Sequence, residues 1–169
     1  SWGDKMVFSQ KALGLQPSPF DCWLIQRGLK TQAIRVERHA QNAKTIAEYL
    51  EERFSEAKIL YPFLESHPQY EIAKKQMLLG SGIISVDLGL DFETTKSFLN
   101  ELKLFTKAES LGGIESLVCH PASMTHASVP KDVRESVGIT DSLFRLSVGI
   151  ENSEDLIKDV KLALDKIGI

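Results

Sequence analysis

A chain of 169 residues can bury the core of one ordinary domain, and 43% hydrophobic with 25% charged residues is typical of a globular protein. The 20 basic and 23 acidic residues leave a net charge of −3, which excludes the concentrated positive charge that binds nucleic acid or an anionic membrane. No apolar run reaches the roughly 20 residues that cross a bilayer, the first residues do not resemble a signal peptide, and two cysteines cannot form a disulfide framework. We therefore expect a cytoplasmic protein.

The first part of the chain is predicted to be helical. Residues 1–15 suit one helix, which must end before the prolines at 17–19 because a residue that precedes proline avoids the helical region. A short helix is expected to follow and to end at Gly28, since glycine commonly terminates helices. Cys22, inside this stretch, is interpreted as a small buried hydrophobic residue.

The middle of the chain alternates between helix-like and strand-like stretches. A long helix is predicted over residues 31–53, because apolar residues recur there at intervals of three and four. They form one stripe that should face a core, and they are Ala43, Ile46, Ala47, Leu50 and Phe54. Residues 58–61 and 82–88 are predicted strands, and residues 67–76 and 91–103 are predicted helices.

The last part begins with an irregular stretch, residues 105–128, which is rich in Ser, Gly, Thr and His. A short helix over 130–137 and a strand over 143–148 are predicted to follow. The final helix begins at Asn152 or Ser153, which suit a helix cap. Helices outside a small sheet predict an α/β or α+β sandwich, and the sheet topology stays open.

The first candidate for chemistry is the segment Glu109-Ser110-Leu111-Gly112-Gly113. Paired glycines allow positive φ and a close approach of the backbone to a ligand, so the segment suits a substrate-binding loop with Glu109 and Ser110 as polar contacts. A tight turn between two strands would have the same residue composition. The residues alone leave both interpretations open.

The second candidate is Arg145, which lies between apolar Phe144 and Leu146 in a predicted strand. Alternation places Arg145 on the opposite sheet face from these two neighbours. A guanidinium there can hold a carboxylate through two parallel hydrogen bonds. An arginine that faces solvent and pairs with an acid is the alternative.

The histidines are interpreted as structural. His120 and His126 are six residues apart, which does not place them on one helix face, and no metal-ligand pattern accompanies them. Cys119 and His120 are adjacent in an extended segment, so their side chains point in opposite directions and do not suit a nucleophile and its base. No metal site is predicted.

Several ordered motifs resemble one family of enzymes. They are PSPFDC at 17–22, RGLKT at 27–31, YP at 61–62 with SHP at 66–68, LFTKAESLGGIESL at 104–117, HPASMTHA at 120–127 and RLSVGIE at 145–151. Together they resemble the C-terminal part of the pyridoxal-phosphate enzymes of cysteine and methionine metabolism, of the cystathionine γ-lyase and γ-synthase type. The resemblance covers nearly the whole chain.

The resemblance implies the small C-terminal domain of a fold-type I aminotransferase-like enzyme, with a small, mostly antiparallel sheet covered by helices. It implies that residues 1–30 connect to a cofactor-binding domain and that residues 31–169 grip the substrate. Arg145 matches the family arginine that holds the substrate α-carboxylate, and Ser110 and Thr125 match residues beside that pocket. Glu109 matches an acid of members that handle cystathionine, where a carboxylate suits the distal ammonium.

The resemblance also implies a pyridoxal phosphate cofactor, γ-elimination or γ-replacement on cystathionine or an O-acylhomoserine in transsulfuration, and a homotetramer in the full-length enzyme. The family lysine that holds the cofactor has no match here, nor do the other cofactor-binding motifs. We expect no catalytic or cofactor-binding residue in this chain and no lyase activity from it alone. A separately expressed, non-catalytic binding or assembly module is the alternative, and a calorimetric titration with cystathionine would distinguish the two.

Overall fold

Seven α-helices and five β-strands form the structure, a computed structural model that describes residues 1–169. In chain order they are α1 (Trp2–Leu13), α2 (Pro19–Leu29), α3 (Gln32–Arg53), β1 (Lys58–Leu60), α4 (Tyr70–Gln76), β2 (Ile83–Asp87), α5 (Phe92–Glu101), β3 (Thr106–Lys107), β4 (Leu117–Cys119), α6 (Lys131–Ser136), β5 (Leu143–Ser147) and α7 (Ser153–Lys166). A single 3-10 turn, Pro121–Ser123, follows β4. The chain divides into two units, Ser1–Ile34 and Arg35–Ile169.

The first unit consists of well-capped helices. Ser1 and Asp4 form a capping box at the start of α1, and Ser18 and Asp21 repeat it at the start of α2. Both helices fall within the predicted stretches, and neither buries a residue.

Two predictions for α2 are wrong. The helix does not end at Gly28 but continues through Leu29, and the N–H of Lys30 bonds to the carbonyl of Gly28. A glycine inside a helix costs only about 1 kcal/mol, so it does not by itself end one. Cys22 is half-buried rather than buried, because α2 has no buried face.

The second unit is built on a five-stranded sheet with the order β1-β2-β5-β4-β3. Neighbouring strands are antiparallel except for β3 and β4, which are parallel. This confirms the small, mostly antiparallel sheet that the resemblance implies. β5 lies at the centre of the sheet, between β2 and β4.

The core lies on one face of this sheet. Val86 on β2 pairs with Phe144 on β5, and Val118 on β4 pairs with Leu146, so these apolar side chains share a face. Helices α3, α5 and α7 contribute the other half of the core, which includes Ala43, Ile46, Leu50, Phe98, Leu99, Leu156, Val160 and Leu164. The predicted stripe of α3 is buried up to Leu50, and Phe54 packs against the core while partly buried. The α+β sandwich is confirmed.

Two further predictions need correction. The stretch 105–128 is not wholly irregular, because β3, β4 and the 3-10 turn lie inside it. Helix α4 begins at Tyr70 rather than at His67, because the imidazole Nδ1 of His67 accepts the backbone N–H of Gln69 and forms a turn ahead of the helix.

Candidate functional site

The site is centred on Arg145 in the middle of the sheet. Phe144 and Leu146 are 1% and 0% exposed in the core, so alternation turns Arg145 to the opposite face, as predicted. The neighbours of Arg145 across the sheet are Ser85 on β2 and Cys119 on β4. The strands β2 and β4 therefore hold the backbone of Arg145 from both sides.

The guanidinium of Arg145 is only partly satisfied by the chain. Its Nη2 donates to the backbone carbonyls of Glu109 and Ser110, at 3.3 and 3.5 Å. Its Nε is buried and has no hydrogen-bond partner, unlike any other buried side-chain nitrogen or oxygen. A buried donor without a partner costs about 1–3 kcal/mol, which calls for an explanation such as a ligand.

Arg145 has no acidic partner in the chain. The salt bridges all lie elsewhere. The structure therefore does not support the alternative of a surface arginine paired with an acid. A half-buried guanidinium whose buried Nε has no partner can donate two parallel hydrogen bonds to a carboxylate.

The loop between β3 and β4 frames one side of Arg145. Gly112 in this loop has φ of 78°, a conformation that suits glycine, and its N–H donates to Ser147 Oγ on β5 at 2.8 Å. This bond ties the loop to the strand that carries Arg145. The side chains of Glu109 and Ser110 are exposed.

A buried hydrogen-bond network holds the far end of the same loop. Glu151 accepts the N–H and the hydroxyl of Ser116, at 2.7 and 2.9 Å, and the Ser116 oxygen accepts the N–H of Gly149 at 2.9 Å. Asn42 on α3 donates its amide to the carbonyls of Gly149 and Glu151. A Cβ at Gly149 would overlap the Glu151 carboxylate and the carbonyl of Ile114, so only glycine fits there. The loop and the end of β5 are thus joined.

The sequence patterns indicated no role for Ser147, Ser116 or Glu151. Ser147 and Glu151 belong to the RLSVGIE motif, and Ser116 is the second-last residue of the motif at 104–117, so their presence in the motifs was the only available signal. Their bonding partners lie 33 to 35 residues away in sequence, a separation that spacing within one element cannot reveal.

Thr125 is not joined to Arg145 by a hydrogen bond. It is exposed, and its Oγ1 lies 2.8 Å from Nδ1 of the adjacent His126. His120 is buried, with its ring nitrogens against Ser123 Oγ at 2.8 Å and the carbonyl of Asp141 at 2.9 Å. These contacts give His120 a structural position, as predicted. No group of three His, Cys, Asp or Glu side chains is placed to hold a metal ion.

Comparison with known proteins identifies the class. A family profile described as "Cys/Met metabolism PLP-dependent enzyme" matches residues 1–165. The chain belongs to this family of pyridoxal-phosphate-dependent enzymes, which confirms the resemblance in its motifs.

Two relatives and one solved structure define the similarity further. The chain is 54% identical over 159 residues to a cystathionine beta-lyase of Lactococcus lactis subsp. cremoris, and 49% identical over 161 residues to a cystathionine gamma-lyase of Bos taurus. These alignments cover 94% and 95% of this chain, but 42% and 40% of the relatives. The crystal structure of cystathionine gamma-lyase from yeast superposes with a TM-score of 0.88 at 46% identity, covering 96% of this chain and 42% of that one. The chain thus spans about two fifths of these proteins, in their C-terminal part.

The residues around Arg145 fit a substrate carboxylate and do not fit the cofactor. Pyridoxal phosphate is held by a lysine in its enzymes. Lys107, the lysine nearest to the loop in sequence, is exposed and donates to the Asn100 side chain on α5. No lysine bonds to Arg145 or to its loop partners.

No helix of the structure is both long enough and apolar enough to span a membrane.

Proposed function

We propose that this chain is the substrate-binding part of a longer, pyridoxal-phosphate-dependent carbon–sulfur lyase that acts on cystathionine. Arg145 binds the α-carboxylate of the amino-acid substrate. The buried, unpartnered Nε of Arg145 is the observation that carries the proposal, because it is a donor that a bound carboxylate would satisfy.

Each residue of the site has a separate task in this proposal. Nε and a terminal nitrogen of Arg145 hold the two carboxylate oxygens, while the loop carbonyls of Glu109 and Ser110 orient the guanidinium from one side. The exposed carboxylate of Glu109 attracts the distal ammonium of cystathionine, and Ser110 and Thr125 supply polar contacts at the rim. These groups bind and orient the substrate but move no proton.

The cofactor, when bound, supplies the electron-withdrawing ring that makes such eliminations possible. We assign its lysine and its other binding groups to a part of the full-length protein outside these residues, since the relatives are more than twice as long as this chain. We further propose a cytoplasmic homotetramer for the full-length enzyme and no lyase activity for the chain alone.

The bond that is cleaved depends on which carbon carries the leaving sulfur. The sequence motifs favour γ-elimination or γ-replacement, including replacement on an O-acylhomoserine. A beta-lyase and a gamma-lyase are matched at similar identity, so the products must decide. Release of 2-oxobutanoate and cysteine from cystathionine would establish γ-elimination, and pyruvate with homocysteine would establish β-elimination.

The test uses the full-length enzyme with Arg145→Gln and, as a matched control, Arg38→Gln, since Arg38 is an exposed arginine on α3. Loss of a charge-assisted pair costs about 2–5 kcal/mol, so Arg145→Gln should lower kcat/KM for cystathionine by roughly 30-fold or more. Arg145→Lys should fall between Gln and the native enzyme, because lysine keeps the charge but loses the two-pronged geometry. An unchanged kcat/KM in Arg145→Gln, or an equal loss in Arg38→Gln, would remove Arg145 from the substrate site.

A further inference from the structure

A cavity of about 250 Å³ lies where α5, β3 and the 3-10 turn after β4 meet. Helix α5 contributes Lys96, Leu99 and Asn100, which share one face because they are three and four residues apart. None of the residues that we place at the substrate site lines this cavity. It is therefore a separate feature of the fold.

The mouth of the cavity carries two ammonium groups. Lys107 on β3 donates to the neutral amide oxygen of Asn100, so its charge is not cancelled by that contact. Lys96 lies 3.8 Å from the carboxylate of Glu93, an exposed pairing one helical turn away that holds it only weakly. No carboxylate lines the cavity. The cavity therefore carries net positive charge.

The interior of the cavity is apolar and fixed. Leu99 is 3% exposed and belongs to the core, and Met124 closes the other side with its flexible thioether. His120 lines one side of the cavity, and its ring is held in place because both ring nitrogens are hydrogen-bonded. The centroid of its ring lies 5.2 Å from the centroid of the Phe92 ring. The Ser123 hydroxyl donates to Nδ1 of His120, because Nε2 is the ring nitrogen that donates to the carbonyl of Asp141.

We propose that this cavity binds a small organic carboxylate. The carboxylate lies between the ammonium groups of Lys96 and Lys107, and the apolar part of the molecule packs on Leu99 and Met124. The volume is below the roughly 300–1,000 Å³ of pockets for drug-sized molecules, so the ligand is of metabolite size.

The position of the cavity relates it to the substrate site through one strand. His120 directly follows Cys119, and Cys119 pairs with Arg145 across β4 and β5. The ligand would therefore contact the end of the strand that supports Arg145. The binding itself does not depend on the proposed lyase function.

The experiment titrates the 169-residue chain with benzoate and, separately, with benzamide, its neutral counterpart of similar shape. We expect saturable binding of benzoate, with chemical-shift changes at the Met124 methyl group, and at least tenfold weaker binding of benzamide. A hydrogen bond to a charged group contributes about 1.5–3 kcal/mol, so Lys107→Gln and Lys96→Gln should each weaken benzoate binding about tenfold or more. Lys107 is exposed and the Lys96 side chain is 44% exposed, so the variants should fold.

The matched control is Lys158→Gln, which removes the same charge from an exposed position on α7. It should leave benzoate binding within about twofold of the native value, since Lys158 does not line the cavity and salt screens the charge of an exposed side chain. The proposal is overturned if benzoate shows no saturable binding, if benzamide binds equally well, or if Lys158→Gln weakens binding as much as Lys107→Gln does.

Discussion

The network of Ser116 and Glu151 should set the stability of the frame around Arg145. Ser116 is 0% exposed, and its hydroxyl both donates to Glu151 Oε2 and accepts the N–H of Gly149. Ser116→Ala removes both bonds and leaves two polar groups without their partner. The shape of the alanine side chain introduces no clash, so the change in the free energy of unfolding measures the hydrogen bonds.

The size of the effect follows from these contacts. A buried polar group left without a partner costs about 1–3 kcal/mol, so two such groups predict a loss of about 2–6 kcal/mol in Ser116→Ala. Glu151→Gln keeps the shape but offers one acceptor where the native carboxylate offers two, and should cost about 1–2 kcal/mol. The double variant should cost about 1–2 kcal/mol less than the sum, because the two residues share a bond.

The assay is urea unfolding of the chain followed by far-ultraviolet circular dichroism. Tryptophan fluorescence would be misleading, since Trp2 and Trp23 both lie in the first unit. With a urea dependence of about 1–3 kcal/mol/M, Ser116→Ala should lower the midpoint by roughly 1 M or more.

The controls for this experiment are Ser55→Ala and Glu56→Ala, at exposed positions that lie outside the network. Both should change stability by less than about 0.5 kcal/mol. Additive losses in the double variant, or a loss in Ser116→Ala no larger than in Ser55→Ala, would refute the network as described.

Three further outcomes are expected. The Asp159 carboxylate accepts the backbone N–H groups of residues 103–105, so Asp159→Ala should lower the free energy of unfolding in urea by about 2–4 kcal/mol. The control Asp155→Ala, at an exposed position, should change it little. Equal effects of the two substitutions would contradict this role of Asp159. Burial, with a smaller contribution from the charge of Glu48, raises the pKa of Tyr61 to about 12, while an unfolded tyrosine has a pKa of about 10. As the pH rises, Tyr61 loses its proton first in the unfolded state, so the free energy of unfolding should fall between pH 10 and 12 by up to about 1.4 kcal/mol per pH unit. The variant Tyr61→Phe should lack this fall. Identical pH profiles of the two proteins would exclude Tyr61 as its source. The chain alone, given pyridoxal phosphate and cystathionine, should release no keto acid above the rate of the free cofactor, and appreciable release would contradict our assignment.

Local patterns predicted the elements that bury a face. The alternation around Arg145 correctly placed its side chain opposite Phe144 and Leu146, because both apolar neighbours enter the core of a central strand. The stripe of α3 was visible for the same reason. One-sided burial produces a periodic sequence, which is why such elements can be predicted.

The strands β3 and β4, at one side of the sheet, could not be predicted in this way. β3 has two residues and β4 has three, which is too short for any alternation to be visible. Thr106 pairs in parallel with Leu117 across the loop that carries Glu109 and Ser110. These strands depend on a pairing made only in the folded chain.

The motifs indicated candidate residues for the site but not the groups that support them. The motifs identified Arg145 and its loop, and the structure brings Glu109 and Ser110 to it through their carbonyls. The buried, unpartnered Nε depends on the arrangement of neighbouring side chains in the folded domain, so no sequence pattern predicts it. Thr125 remains a prediction, since it bonds its own neighbour.

The central claim is that this chain binds the substrate of an enzyme whose cofactor is bound by another part of the same polypeptide, outside these 169 residues. The most direct test purifies the native protein from its source cells with an antibody against this domain, fixes the cofactor to its lysine with borohydride, and maps the modified peptide by mass spectrometry. We predict a polypeptide more than twice the 18.9 kDa of this chain, with the modified lysine outside these 169 residues. A modified lysine within the chain, or a native polypeptide of 18.9 kDa that carries no cofactor, would contradict the account.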